Sequence, residues 1–191
     1  WEEEAQLLSL PIDPVLPTSI NISADGTIVA LGFLENKSVQ IFKYDEIQYK
    51  WIKSVTLANN EATQFASKIA LSADGTTLAV AGINKTFFVH TEVSTVWVYH
   101  YDANSGTMEE KTHFEGAQTD SETFPSIALD INANGKKILA GDLYANDYKG
   151  SVMLYTNTSG TTWTTAEITD DLNRLYFGQS VALSADGNTA V

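Results

Sequence analysis

Ser180-Val-Ala-Leu-Ser-Ala-Asp-Gly187 is the fourth appearance of one phrase in this 191-residue chain. Its earlier copies read Ser19-Ile-Asn-Ile-Ser-Ala-Asp-Gly26, Lys68-Ile-Ala-Leu-Ser-Ala-Asp-Gly75 and Ser126-Ile-Ala-Leu-Asp-Ile-Asn-Ala-Asn-Gly135. The residue before each glycine is Asp25, Asp74, Asn134 or Asp186, so successive copies lie 49, 60 and 52 residues apart. Asp-Gly and Asn-Gly after alternating apolar residues predict tight hairpins, because both residues tolerate positive φ. A strand of small and β-branched residues follows each turn: Ile28–Gly32, Leu78–Gly82 and Ile138–Gly141. A third strand reads Ser38–Tyr44, Thr95–Tyr101 and Ser151–Asn157, and a fourth opens at Trp51, Met108 or Trp163. A pair-mark, Leu16-Pro17, Phe65-Ala66, Phe124-Pro125 or Phe177-Gly178, precedes each turn by 9 or 10 residues. Four antiparallel strands repeating every 50 residues or so is the period of a β-propeller blade. The expected fold is therefore all-β: three whole blades over 16–64, 65–123 and 124–176, with partial blades at 1–15 and 177–191.

The composition is that of a globular protein, 43% hydrophobic and 18% charged. The formal net charge of −13 disfavours nucleic acid and anionic membrane surfaces as partners. No apolar run approaches the ~20 residues of a membrane-spanning helix. With no cysteine, disulfides, thiolate metal sites and Cys nucleophiles are excluded.

The combination of Phe177-Gly178, Ser180–Gly187, Ala140-Gly-Asp142, Gly150-Ser-Val152 and Thr161-Thr-Trp163 resembles the FG-GAP-like repeat, the class of the integrin α-subunit propeller. That resemblance implies an extracellular or cell-surface module (an organelle lumen being the alternative) that recognises protein or glycan through rim loops. It also implies calcium in a blade loop for some members. The nearest match to such a loop is Asp130-Ile-Asn132-Ala-Asn134-Gly135, whose alternating oxygens share one side of the turn. Its fourth ligand position is Ile138, and Lys136 and Lys137 flank it.

A second candidate is the loop Asp142–Gly150, which gathers Asp142, Tyr144, Asn146 and Asp147 on the rim between strands two and three. The matching loop in the second blade carries Phe87 and Phe88, read as packing or as partner contacts. Asn36, Asn84 and Asn157 begin sequons in expected loops or turns, and Asn21 begins one in a strand. The three histidines, His90, His100 and His113, fit no metal spacing, and no nucleophile elbow, phosphate loop or HExxH helix occurs. These readings predict a non-catalytic binding or scaffold module with no cofactor. The alternatives are a structural subunit of a large complex or filament, and a propeller enzyme with its active site in the central channel. The chain starts and stops inside blades. The ring is therefore expected to be completed by the remainder of a longer chain or by other subunits.

Overall fold

The computed structural model describes residues 15–85, 92–119, 127–143, 145–170 and 175–191. Among the described residues twelve strands form three four-stranded antiparallel sheets, each a simple meander. The first sheet holds β1 (Ser19–Ile22), β2 (Ile28–Phe33), β3 (Ser38–Asp45) and β4 (Lys50–Ala58). The second holds β5 (Gln64–Leu71), β6 (Thr77–Lys85), β7 (Glu92–Asp102) and β8 (Thr107–Thr119). The third holds β9 (Ile127–Ile131), β10 (Lys137–Asp142), β11 (Ser151–Ser159) and β12 (Thr162–Ile168), with a helical turn α1 (Ala145–Tyr148) between β10 and β11. The fourth copy of the phrase closes its own hairpin through Ser184 N–H to Thr189 C=O at 2.9 Å and a bridge between Leu183 and Ala190.

The repeated turn has a chemical reason. In the first blade Asp25 Oδ1 accepts from Ser23 Oγ at 2.6 Å and from Thr27 N at 3.0 Å, while Ser23 Oγ accepts from Ile28 N at 3.0 Å. The same bonds recur at Ser72–Asp74 and Ser184–Asp186. In the third blade Asn132 replaces the serine and Asn134 the aspartate, and both amide oxygens accept backbone N–H. The glycines then take φ of 69–74°, a region that costs L-residues about 1–2 kcal/mol.

These bonds make the turns acid-sensitive. The Ser23 hydroxyl, then the Thr27 N–H and hydroxyl, hold Asp25 below its ordinary value. Ser184 and Asn188 do the same for Asp186. At Asp74 burial pushes upward, but Ser72 and Thr76 outweigh it and the net direction is downward. A carboxylate with a depressed folded-state pKa contributes stability above its unfolded value, and that contribution disappears as pH falls through the folded value. Replacing Asp25, Asp74 and Asp186 together by Asn copies the third blade and removes the proton. The melting temperature of this variant is expected to fall less between about pH 5 and pH 2 than that of the parent. Parallel curves for the two proteins would show that these turns do not set the acid limb.

Consecutive blades are joined through the turns. Ala24 N–H donates to Ala73 C=O at 2.8 Å, Ala73 N–H to Ala133 C=O at 3.0 Å, and Ala133 N–H to Ala185 C=O at 2.9 Å. The first strands of neighbouring sheets also pack together, β1 on β5 and β5 on β9, so they line the ring axis. Each blade presents a large-residue face to the blade before it. Ile69, Leu71, Leu78, Val80, Trp97 and Tyr99 of the second blade meet Ala30, Val39 and Ile41 of the first. Ile131, Ile138 and Tyr155 of the third meet Ala70, Ala79, Ala81 and Val98 of the second. The alanines read in strand two therefore make room for the next blade's large side chains.

Trp97 is buried at the first of these boundaries, and Trp163 packs edge-on to Phe114 at the second, with centroids 5.6 Å apart. Trp51, Met108 and Trp163 each stand second in the outermost strand of their sheet. The second-blade loop that carries Phe87 and Phe88 is shorter than its sequence suggests. β6 continues through Lys85 and β7 starts at Glu92, so Asn84 pairs with Val93 inside a strand. The reason is burial: Ile83, Val93 and Ser94 are all enclosed, which extends the hairpin. Phe87, Phe88 and His90 lie outside the described residues.

Candidate functional site

The site grows from one residue that breaks the repeat. Gly32, Ala81 and Gly141 stand at one position of strand two, and the residues after them pair with Ser38, Thr95 and Ser151. Those following residues are Phe33, Gly82 and Asp142. Phe33 is a buried apolar side chain, 6% exposed, and Gly82 has no side chain. Asp142 is half-buried at the same place, with its Oδ2 shielded from solvent. It lines a cleft of about 300 Å³ between the second and third blades.

Strand ends from both blades build this cleft. Ser94 and Thr95 come from the start of β7, Glu115 and Gly116 from β8, Ser151 and Tyr155 from β11, and Glu167 from β12. Ser94, Thr95 and Tyr155 are buried, whereas Glu115, Asn146 and Glu167 are exposed at its mouth. Gly116 matters because a Cβ there would overlap the Ser94 hydroxyl. Ser151 Oγ donates to Glu167 Oε1 at 3.1 Å. Tyr155 stacks on Phe114 with centroids 4.0 Å apart, which fixes its ring. Burial first, then the negative charge of Asp142, pushes the Tyr155 hydroxyl up to about 12. It is thus a neutral hydrogen-bond donor across the physiological range, lining the same cleft as Asp142.

A second cavity, of about 420 Å³, lies toward the ring axis and is lined by Lys68, Ala128, Leu129, Gln179 and Ser180. Ile127 lines both spaces and separates them. Lys68 is another repeat-breaking residue. The third-blade phrase carries two extra residues, so the register sets Lys68 level with Ser19 and Ala128, not with Ser126.

Of the residues read as a binding loop, Asp142 ends β10 and Asn146 stands in α1 with a positive φ of 55°; both line the cleft. Asp147 also falls in α1, and Tyr144 lies outside the described residues. The calcium candidates accept backbone hydrogen bonds. Asp130 belongs to β9, where Oδ2 accepts from Leu183 N–H at 2.6 Å and Oδ1 from Ile131 N–H at 2.8 Å. Asn132 and Asn134 serve the turn, and Ile138, the fourth ligand position, is fully buried between blades. Among the described residues no group of three or more His, Asp or Glu is placed to hold a metal. Asn36 is exposed in the β2–β3 turn, while Asn157 lies within β11 and donates to Gly160 C=O at 2.8 Å. Tyr155, Glu115 and Glu167 were not singled out from sequence. Tyr155 repeats the aromatic positions Phe42 and Tyr99, so its packing role hides the hydroxyl.

Several solved structures share this architecture. A protein from Bacteroides fragilis assigned as a 6-phosphogluconolactonase superposes with a TM-score of 0.55 and 19% identity, over 80% of this chain and 38% of its own. A protein from Bacteroides uniformis with the same assignment gives 0.55 and 19%, over 80% and 40%. The C-terminal WD40 domain of Sif2 gives 0.53 and 16%, over 88% and 40%. WD40 domains are radial arrays of four-stranded blades. These strands are β-propeller blades. The chain spans about two fifths of the length of these structures. No protein-family model matches it, and no curated protein does.

The expectation of a non-catalytic module is corrected here. Two of the structures that share these blades are assigned as lactonases, so missing catalytic sequence motifs give no ground for excluding an enzyme. The reason lies in the architecture. A propeller site is assembled from strand ends of neighbouring blades, and no contiguous motif records it.

Proposed function

We propose that these blades form part of a propeller hydrolase that opens the ester bond of a sugar lactone in the cleft between the second and third blades. The observation that carries this reading is Asp142, lining the same cleft as Tyr155 at a position where sister blades carry Phe33 and Gly82. The assignment of two blade-sharing structures as lactonases supports it. Phe177-Gly178 also supports the narrower FG-GAP-type repeat. Gly178 has φ of 85° and packs against Gly141, as Ala66, with φ of 67°, packs against Gly32.

The chemistry needs a base and an oxyanion donor. Asp142 takes a proton from water, and the water oxygen bonds to the lactone carbonyl carbon. The Tyr155 O–H donates to the oxyanion, which concentrates stabilisation where charge develops. Collapse breaks the ring C–O bond, and the departing alkoxide takes the proton held by Asp142. The product is the open hydroxy acid.

The test is proton release from sugar lactones at near-neutral pH by the intact protein. Asp142→Asn should lower kcat by about 10²–10⁴-fold, the range expected for loss of a general base. A parent rate no higher than buffer, or unchanged turnover in Asp142→Asn, overturns the proposal.

A further inference from the structure

We propose that the cleft takes an uncharged, hydroxyl-rich lactone and rejects its phosphorylated counterpart. This rests on the lactone-opening reading of the same site, and it departs from the 6-phosphogluconolactonase assignment of the structural neighbours.

The lining residues decide the charge. Glu115, Asp142 and Glu167 bring three carboxylates from three strands, and no Lys or Arg lines the cleft among the described residues. The remaining polar groups are neutral: the hydroxyls of Ser94, Thr95, Ser151 and Tyr155, and the Asn146 amide. Hydroxyls and carboxylate oxygens suit the alternating donors and acceptors of a polyol. A phosphate brings about two negative charges at neutral pH and needs Arg, Lys or converging N–H groups. Like charges in a partly buried cleft are weakly screened. The chain's net charge of −13 adds a repulsive field during approach. The basic residues that line neighbouring spaces lie outside it. Lys149 lines a separate groove beyond Asn146 and Glu167, and Lys68 lines the axial cavity beyond Ile127.

The experiment compares gluconolactone with its 6-phosphate in the intact protein, by proton release and by calorimetric binding to Asp142→Asn. The expected result is a kcat/KM at least ~100-fold higher for the uncharged lactone at low salt, narrowing as ionic strength rises. Glu115→Gln with Glu167→Gln should narrow it further, mainly through KM for the phosphorylated substrate. Equal or better turnover of the phosphate, still lost in Asp142→Asn, overturns the charge selection and leaves the lactonase reading standing. Turnover of the phosphate at a rate near that of the uncharged lactone, lost in Lys149→Ala or Lys68→Ala, also overturns it. Neither turnover nor binding of either lactone overturns both readings.

Discussion

Phe65→Ala loses about 3–5 kcal/mol of stability, the cost of emptying a large aromatic site that cannot collapse. Phe65 is fully buried at the boundary of the first and second blades. Its ring meets Trp97 edge-on at 5.2 Å and Tyr99 at 6.3 Å. Ala30, Val39 and Ile41 close the space from the first blade. Two β-sheets frame the site, and their hydrogen-bond ladders resist closing over the void. Against a total of about 5–15 kcal/mol, this is a large share of the stability of the array. Urea denaturation followed by tryptophan fluorescence measures it, because Trp97 lines the same space. Phe65→Leu, which keeps most of the volume, should lose about half as much or less. A loss below about 1 kcal/mol for Phe65→Ala would show that the blades slide together, and that their spacing is not fixed by this ring.

Gly141→Ala is the second large effect, through overlap instead of a void. A Cβ at Gly141 would collide with the Gly178 carbonyl, whose carbon lies 2.8 Å and Cα 2.9 Å from its ideal position. Backbone cannot rotate away as a side chain can. The Phe177-Gly178 entry is also fixed to the end of α1 and the residue after it, by Tyr176 N–H to Tyr148 C=O at 2.8 Å and Phe177 N–H to Lys149 C=O at 2.9 Å. A loss of about 3 kcal/mol is expected, with displacement of the segment from Tyr176 onward. Amide exchange reads this locally. Ala133 N–H donates to Ala185 C=O across the last boundary and should lose protection, whereas Ala24 N–H, bonded to Ala73, should keep it. Equal protection of both amides in the variant and the parent would refute the clash.

The meander of each blade was legible because its signals are local. Asp25-Gly26, Asp74-Gly75 and Asp186-Gly187 name their own turns, and the serine two residues earlier completes the bonding. Register in the third blade was less legible. Two extra residues in Ser126–Gly135 shift the strand against its turn, and only the ladder shows that Ala128 stands level with Lys68. The cleft was partly legible. Asp142 and Asn146 were read as a rim loop, but nothing local says that Asp142 ends a strand and turns toward the preceding blade. Glu115 and Glu167 are 52 residues apart and meet only because two sheets stack, which no alternation pattern encodes. The calcium candidates take structural roles for a related reason. Alternating oxygens in Asp130–Asn134 look like ligands in sequence, but Asp130 bridges to the fourth blade's Leu183 and the asparagines hold the hairpin.

The ladder Ala24–Ala73–Ala133–Ala185 uses one donor and one acceptor per blade, both from the same turn residue. Such a unit is self-matching: the acceptor it offers on one side is what its own donor seeks on the other. Tandem duplication of a gene segment of about 50 codons would therefore insert a blade whose two borders are already complementary, with no compensating change in its neighbours. Copies made this way are bound to keep the hairpin geometry at the joint, built by Ser-Ala-Asp-Gly or Asn-Ala-Asn-Gly, and are free to diverge at the opposite rim. That division accounts for a carboxylate at Asp142 where sister copies carry Phe33 and Gly82, and it makes chemical novelty in this array a matter of one blade at a time.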